Sequence, residues 1–230
     1  MSAKAPQMNN ILVVDVGGTH IKVLASGHAA RRQIPSSPTL TAVQMVKAVK
    51  ALTADWGYAR VSIGFPGPVR HGKITAEPTH LGGGWRRCDF EAAFGCPVKL
   101  INDAALQAFG SYRTGSMLFL GLGTGLGSAL IVDHVIAPLE LAHLPYKKGG
   151  TYEDYVGVRG LERCGKRKWR RHVFDVVARL KAALQAEDLV LGGGNVKLLD
   201  RLPEGARRGD NLNAFKGGYR LWTHPPLATG

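Results

Sequence analysis

Two adjacent polar residues, Asn102 and Asp103, lie where an apolar run of strand type meets a run of strong helix formers. A carboxylate at such a junction can accept the proton of an alcohol, and phosphoryl transfer to an alcohol needs little other covalent help from a protein. The transfer also needs backbone amides around the phosphate and a cation that neutralises its charge. Asp103 could supply the base. A simple helix cap by Asp103 explains the same junction, so the residues leave both interpretations open.

Two glycine-rich turns could supply the amides. The first, Asp15 to Lys22, has Gly17-Gly18 between two apolar runs, and we expect a hairpin tip where positive φ is tolerated. Asp15 could hold a magnesium ion through its waters, although an ordinary β-hairpin would show the same letters. The second turn, Gly121 to Gly127, resembles a dinucleotide fingerprint, but a strand-forming stretch follows where a helix is required. Two such turns in one chain favour phosphate binding.

Three further polar residues could hydrogen-bond the hydroxyls of a polyol. Glu140 and His143 are three positions apart, and Glu153 follows ten positions later. Each of them alone is more often a solvated or capping residue, and His143 has no cysteine nearby with which to bind a metal. They gain weight as sugar ligands only together with Asn102 and Asp103.

The chain is strongly basic, with 30 Lys and Arg against 17 Asp and Glu and a net charge of +13. The segment Arg163 to His172 alone carries six Lys and Arg side chains in ten residues. We expect it to overlap the start of a long helix, where cations are locally unfavourable, so an anionic partner competes with a merely solvated face. Trp169 lies on the apolar stripe of that helix and no nucleic-acid motif is present, which favours a phosphate polymer or nucleotide over nucleic acid.

Composition limits the other classes of protein. The cysteines Cys88, Cys96 and Cys164 form no C-x-x-C pair, so no zinc site is predicted. No apolar run approaches the roughly 20 residues of a membrane-spanning helix, and Met1 to Asn10 lack the apolar core of a signal peptide. We therefore expect a cytoplasmic protein without membrane contact. Its 230 residues allow one large domain or two lobes of about 100 residues each.

Hydrophobic periodicity predicts the elements that position these residues. Strands are predicted at Ile11–Val16, Ile21–Ala25, Val61–Phe65, Val98–Ile101, Met117–Leu122, Ser128–Val132 and Leu189–Leu191, and helices at 39–52, Ala104–Phe109 and Trp169–Leu184. The first helix has an apolar stripe formed by Leu40, Val43, Val46, Val49 and Leu52. Because hairpins, helices and strands recur in each half, we expect an α/β protein of two similar lobes with a central cleft. The N-terminal lobe is predicted at 1–105 and the C-terminal lobe at 106–230.

With these motifs the chain resembles the ROK-type sugar kinases of the hexokinase-like, actin-like superfamily, and within them the polyphosphate glucokinases. The resemblance extends from Asp15 to about Trp222. It rests on two phosphate motifs (Asp15 to Lys22 and Gly121 to Gly127), two stretches that border the sugar site (Gly64 to Val69 and Leu81 to Trp85), and the glycine loop Gly192 to Asn195. The motifs occur in the family's order, which implies two lobes of the ribonuclease-H type.

The resemblance also assigns roles. Asp103 would be the catalytic base. The sugar would be bound by Asn102, Glu140, His143, Glu153 and Gly67. The donor phosphates would be bound by Asp15, Gly17, Gly18, Thr19, Lys22, Gly123, Thr124, Gly125, Gly193 and Gly194. Mg²⁺, oriented by Asp15 through water, would be the cofactor, and polyphosphate, ATP or both the donor.

Two departures from the family's pattern qualify the comparison. Ala142 replaces the glycine of the Glu-x-Gly-His motif, a change that could crowd the sugar pocket. The stretch Tyr146 to Thr151 contains no cysteine, which again predicts no zinc. The expected activity is phosphorylation of glucose or a close hexose at the 6-hydroxyl by a homodimer. The alternatives are an ATP-dependent kinase of mannose, fructose or an amino sugar, a non-catalytic sugar-binding regulator, and a nucleic-acid-binding protein.

Overall fold

The computed structural model describes residues 10–210 and 212–224, so Met1 to residue 9 of the predicted tail lie outside it. The described residues form two compact units. One comprises residues 10–106 together with 214–224, and the other comprises 107–210 with 212 and 213. The lobes predicted from the sequence divided the chain once, near residue 105. The structure differs because the chain returns to the first unit from Ala214 onward.

The first unit is built on a five-stranded mixed sheet with the order β3-β2-β1-β4-β7. Its strands are β1 (Ile11–Val16), β2 (His20–Ala25), β3 (Arg32–Pro35), β4 (Arg60–Phe65) and β7 (Val98–Asn102). The pairs β1–β2 and β2–β3 are antiparallel, whereas β4 pairs in parallel with both β1 and β7. A two-stranded ribbon, β5 (Val69–Arg70) and β6 (Lys73–Ile74), follows β4.

The second unit repeats this plan with a sheet of the order β10-β9-β8-β11-β12. Its strands are β8 (Ser116–Leu122), β9 (Leu126–Val132), β10 (Val135–Leu139), β11 (Asp188–Gly192) and β12 (Ala206–Arg208). Here too the first three strands pair antiparallel, and β11 pairs in parallel with β8 and β12. The matching strand orders confirm the predicted α/β fold with two similar halves.

Six α-helices accompany the two sheets among the described residues. They are α1 (Ala42–Leu52), α2 (Phe90–Phe94), α3 (Asp103–Ser111), α4 (Tyr152–Val156), α5 (Val158–Leu184) and α6 (Asn213–Thr223). Thr41 and Gln44 close a capping box at the start of α1, which explains why this helix begins there. None of the described helices is long and apolar enough to cross a membrane.

From Ala214 onward α6 belongs to the first unit and packs on the face of its sheet that Val13 and Ser62 share. The buried Ser62 hydroxyl donates to the Gly218 carbonyl oxygen at 2.7 Å and accepts from Trp222 Nε1 at 2.9 Å. Gly218 approaches Val13 so closely that an added Cβ would lie 2.5 Å from both Val13 methyl carbons. The opposite face of the sheet, which carries Leu12 and Val14, packs in the core with α1.

The structure confirms the predicted strands and helices and corrects four details. Val43 is 71% exposed, because Ala42 and Met45 take the core positions on α1 with Val46 and Val49. The turn glycines Gly17 and Gly18 do not have positive φ. The N-cap of α3 is the Asn102 side chain rather than Asp103 alone. The helix α5 begins at Val158, before the basic segment.

Candidate active site

In each unit, the candidate residues that follow parallel strands lie at the carboxyl ends of those strands, the edge where ligands usually bind in open α/β sheets. In the first unit Asp15 is near the end of β1, and β4 and β7 lead to Gly67 and to Asn102-Asp103. The register pairs Asp15 with Gly64 and Gly64 with Ile101, so these residues share one edge. This edge of the first sheet therefore carries both Asp103, the predicted base, and the first glycine turn, which is predicted to bind phosphate.

The first glycine turn is a tight hairpin in which only part of the backbone is available to a ligand. The Gly17 amide donates to the His20 carbonyl oxygen at 3.1 Å, and an added Cβ at Gly17 would lie 2.9 Å from that oxygen. Glycine is needed at position 17 because of this close approach rather than because of its φ angle. Since the Gly17 amide is already bonded, phosphate binding by this turn would depend on Gly18 and Thr19, both exposed.

Asp15 is suited to attract a cation. Its side chain is buried on the β1 strand, and burial raises the pKa of its carboxyl group, an effect that Lys22 partly offsets. The Lys22 ammonium is 3.7 Å away and its side chain is 37% exposed, so it neutralises the charge of the Asp15 carboxylate only in part. A hard divalent cation prefers carboxylate oxygen, and this desolvated carboxylate would gain from one. The Asp15 carboxylate therefore fits the magnesium ion that the motif implies.

Asn102 is held at the start of α3 by both ends of its amide. Its Oδ1 accepts from the Ala105 amide at 3.0 Å, which makes it the N-cap, and its Nδ2 donates to the Gly67 carbonyl oxygen at 3.2 Å. A cap of this kind stabilises a helix by about 1 kcal/mol. The structure thus brings the predicted sugar residues Gly67 and Asn102 together. Asp103 is the first residue of α3, and its Oδ1 accepts from the Ala104 amide at 2.7 Å.

The second unit joins the second glycine turn to the glycine loop that follows β11. Gly121 and Gly192 are register partners on β8 and β11, and the Asn195 Nδ2 donates to the Gly123 carbonyl oxygen at 3.0 Å. Gly193 has φ 85°, and a Cβ there would overlap the carbonyl oxygen of Leu122. The two segments predicted to bind donor phosphates therefore lie side by side within this unit.

Glu153 lies at the second glycine turn, a contact that the sequence did not reveal. Its Oε2 accepts from the Leu126 amide at 3.3 Å, and a Cβ at Gly125 would overlap the same oxygen. Arg159 lies 3.5 Å from the other carboxylate oxygen. The structure thus places Glu153 beside the predicted donor turn, and its contact with a sugar stays a prediction.

Glu140 and His143 form an exposed pair at the short 3₁₀ turn Leu141–His143. Their side chains are 3.8 Å apart and 58% and 74% exposed, so both are available to a ligand. Ala142, in contrast, is buried among the apolar residues of the second unit. The extra methyl group is therefore accommodated in the core.

A network of polar and aromatic groups anchors the loop between that turn and α4. The Tyr146 hydroxyl donates to Asp175 on α5 at 2.6 Å and lies 3.1 Å from His172 Nδ1. Because the single hydroxyl hydrogen is given to a carboxylate, His172 must donate from Nδ1. Lys147 and Arg179 also bond Asp175, and these partners, the Tyr146 hydroxyl first, lower the pKa of Asp175 to about 2. Sequence reasoning missed this network because its members are up to 33 positions apart.

The glycine and tryptophan stretch of the first unit is fixed from within. The Trp85 ring is buried against Phe65 and Phe90, and the Glu77 carboxylate accepts from the Trp85 and Arg86 amides at 3.0 and 3.2 Å. In the described part of the chain, Trp85 Nε1 is the one buried side-chain polar atom without a hydrogen-bond partner. The described residues contain no cluster of three or more His, Cys, Asp or Glu that could hold a metal ion.

Comparison with known proteins decides the family. A family model described as the ROK family matches residues 11–137, more than half of the chain. The chain belongs to the ROK family. The matched region contains both glycine turns and the Asn102-Asp103 junction.

Two curated relatives of this ROK protein differ in their printed names. It is 30% identical over 150 residues to the bifunctional enzyme NanE/NanK of Brucella melitensis, which covers 57% of this chain and 28% of that protein. The chain thus spans less than a third of the length of this relative. It is 23% identical over 210 residues to the polyphosphate glucokinase of Mycobacterium tuberculosis, over 82% of this chain and 78% of that enzyme.

Solved structures confirm the fold over almost the whole chain. The inorganic polyphosphate/ATP-glucomannokinase of an Arthrobacter strain superposes with a TM-score of 0.77 at 25% identity, covering 94% of this chain and 97% of that one. A ROK family glucokinase of Streptomyces griseus, solved with glucose and AMPPNP, gives a TM-score of 0.74 at 18% identity, with 92% and 98% coverage. The fold is that of the actin-like sugar kinases.

Proposed function

We propose that this ROK protein is a sugar kinase that phosphorylates glucose, or a close hexose, at the 6-hydroxyl, with Asp103 as the general base. The observation that carries the proposal is the position of Asp103, an acidic residue at the carboxyl end of β7 and the first residue of α3. It follows the capping Asn102 directly, on the sheet edge that Asp15 shares. Family membership and the order of the two glycine turns support the same function.

In the proposed reaction the Asp103 carboxylate removes the proton of the sugar hydroxyl. The hydroxyl oxygen then forms a bond to the terminal phosphorus of the donor, and the bond from that phosphorus to its bridging oxygen breaks. The leaving group is ADP or a polyphosphate shortened by one phosphate. Asn102, Glu140, His143, Glu153 and Gly67 would hold the sugar, and the amides of both glycine turns would hold the donor. A magnesium ion near Asp15 would neutralise charge on the donor oxygens.

Polyphosphate and ATP are both proposed donors. The polyphosphate glucokinase and the polyphosphate/ATP-glucomannokinase among the similar proteins support this pair. Mannose is the first alternative sugar because the latter is named for both hexoses, and an amino sugar follows from the putative N-acetylmannosamine kinase of Listeria monocytogenes, 18% identical. A cytoplasmic homodimer remains part of the proposal.

The experiment measures sugar phosphate formed from glucose, mannose, fructose and N-acetylmannosamine with magnesium, in parallel with ATP and with polyphosphate. We expect Asp103→Asn to lower kcat by about 10² to 10⁴ while the KM for the sugar changes little, because the amide keeps the shape but cannot accept the proton. Asp133→Asn is the matched control. Asp133 is an exposed turn residue with φ 46°, a conformation that asparagine tolerates well.

The outcomes separate the candidate functions. Activity that the Asp103 variant loses and the Asp133 variant keeps supports the proposal and names both sugar and donor. Sugar binding without product from any sugar and donor would refute the kinase and favour a non-catalytic sugar-binding regulator. Equal activity of Asp103→Asn and the natural chain would exclude Asp103 as the base.

A further inference from the structure

The helix α5 begins at the second glycine turn. The amide of Val158, its first residue, donates to the Thr124 carbonyl oxygen at 3.0 Å, and a Cβ at Gly157 would lie 2.8 Å from the same oxygen. The first residues of α5 are therefore close to the proposed donor-binding turn. Both elements belong to the second unit, so this relation is internal to one compact body.

Gly165 divides α5 into two helical segments. Its backbone angles, φ 74° and ψ 159°, are not helical, and a positive φ of this kind favours glycine. A new helical segment starts after it, so its first turn has the character of a helix N-terminus. The three residues that follow Gly165 are Lys166, Arg167 and Lys168.

The second segment carries a set of exposed cations that we call the basic ridge, defined as Lys166, Arg167, Lys168 and Arg171. Arg167 and Arg171 are four positions apart, and Lys168 and Arg171 are three apart, so they are neighbours on one helix surface. Arg167 and Arg171 lie on the side opposite the buried stripe of Trp169, Val173 and Val176. Within the described residues, no acidic side chain forms an ion pair with any member of the ridge.

The ridge differs from the other cations of α5, which have local partners. Arg159 lies 3.4 Å from Asp154, Arg163 donates to the Asp154 carbonyl oxygen at 2.7 Å, and Arg170 pairs with Asp200. Neighbouring like charges destabilise a helix, and cations in the first turn of a helical segment oppose its dipole. The ridge thus lowers the stability of the free protein, and a bound polyanion would relieve that repulsion.

We propose that the basic ridge is a binding site for long inorganic polyphosphate, which would extend from the second glycine turn to the ridge. This inference rests on the proposed kinase function. After Gly165 the helix packs back against α4, since Trp169 Nε1 donates to the Val156 carbonyl oxygen at 2.8 Å, and Arg167 and Arg171 lie on the solvent side of this segment. A long polyphosphate could contact the turn and the ridge together, whereas the three phosphates of a nucleotide offer few charges to share between them. The ridge would therefore favour long donors over short ones.

The test compares two triple variants of equal charge. The ridge variant is Arg167→Gln/Lys168→Gln/Arg171→Gln, and the control is Lys47→Gln/Arg113→Gln/Lys216→Gln, which neutralises exposed cations outside α5. Direct binding of long polyphosphate, tripolyphosphate and an oligoribonucleotide is measured over a range of salt concentrations. The KM and kcat of sugar phosphorylation are measured in parallel with long polyphosphate, tripolyphosphate and ATP.

We expect the ridge variant to raise the KM for long polyphosphate roughly tenfold at low salt. The slope of the logarithm of the binding constant against the logarithm of the salt concentration should become shallower by about 2, because each of the three lost cations contributes about 0.7 for a single-stranded polyanion. Values for ATP, tripolyphosphate and the control variant should stay unchanged. Equal binding of long polyphosphate by both variants, or tighter binding of the oligoribonucleotide by the natural chain, would overturn the proposal.

The binding measurement does not require catalysis. A protein active with ATP that neither binds nor uses long polyphosphate would refute the ridge and leave the proposed function intact. A protein without kinase activity whose ridge variant still loses polyphosphate binding would refute the proposed function alone.

Discussion

Replacing Tyr146 by phenylalanine should weaken the second unit in a manner that depends on pH. The hydroxyl of Tyr146 donates to Asp175 at 2.6 Å and is the first cause of the low pKa of that carboxyl group. Tyr146→Phe keeps the ring, which packs against Tyr152, Tyr155 and His172, and removes only the hydroxyl. The pKa of Asp175 should therefore rise from about 2 toward its usual value of 3.8.

The expected loss follows from that change in pKa. A full return to 3.8 would correspond to at most about 2.5 kcal/mol. The Asp175 side chain is 36% exposed, and Lys147 and Arg179 still bond it, so solvent screening and the remaining partners reduce the expected cost to about 1 kcal/mol. Because the folded pKa is depressed, this stability is present above pH 4 and is lost as the pH falls toward 2.

The assay is urea unfolding at pH 7 and pH 2, with Trp169, the buried tryptophan of the second unit, as a fluorescent probe. We expect Tyr146→Phe to cost about 1 kcal/mol at pH 7 and half of that or less at pH 2. Tyr155→Phe is the control, because the Tyr155 hydroxyl donates to the Lys147 carbonyl oxygen, which does not titrate in this range. The same cost of Tyr146→Phe at both pH values would refute the charge-assisted bond.

Two glycine substitutions test close backbone contacts. Gly218→Ala should destabilise the chain by about 1 to 3 kcal/mol in urea unfolding, because the new methyl group would lie 2.5 Å from both Val13 methyl carbons. This loss is expected although alanine normally favours a helix over glycine. Adding Val13→Ala should restore much of the lost stability. Gly193→Ala should raise the KM for the donor about tenfold or more, since φ is 85° and the Cβ would overlap the Leu122 carbonyl oxygen. Gly194→Ala, with open space around its Cβ, should raise the KM for the donor less than Gly193→Ala does.

The sequence predicts best the elements whose apolar pattern agrees with their burial. β1 is buried throughout and apolar except for Asp15, and β8 and β11 also contain continuous apolar runs, so these runs mark the strands directly. β3 is a short edge strand with a polar sequence, and α6 contains Gly217-Gly218 in its interior, so neither is indicated by pattern or propensity. Their formation depends on partners elsewhere in the chain.

The candidate site is predictable as a set of motifs but only partly as a geometry. The Asn102-Asp103 junction and the two glycine turns are recognisable because each lies beside a strong strand signal. The Leu126 amide that Glu153 bonds is 27 positions away, and no local spacing connects the two. Val43 is an error of another kind, because its helical spacing is correct but places it on the buried face of α1, whereas its side chain is exposed.

The return of α6 to the first unit has a consequence for synthesis on the ribosome. The segment 107–213 is made between the first sheet and the helix that covers Val13 and Ser62. While the second unit is translated, the nascent first unit therefore exposes one face of its central strands, and the second unit, which is contiguous in sequence, can fold before the first is complete. A chaperone that recognises apolar strands would find its target during this interval.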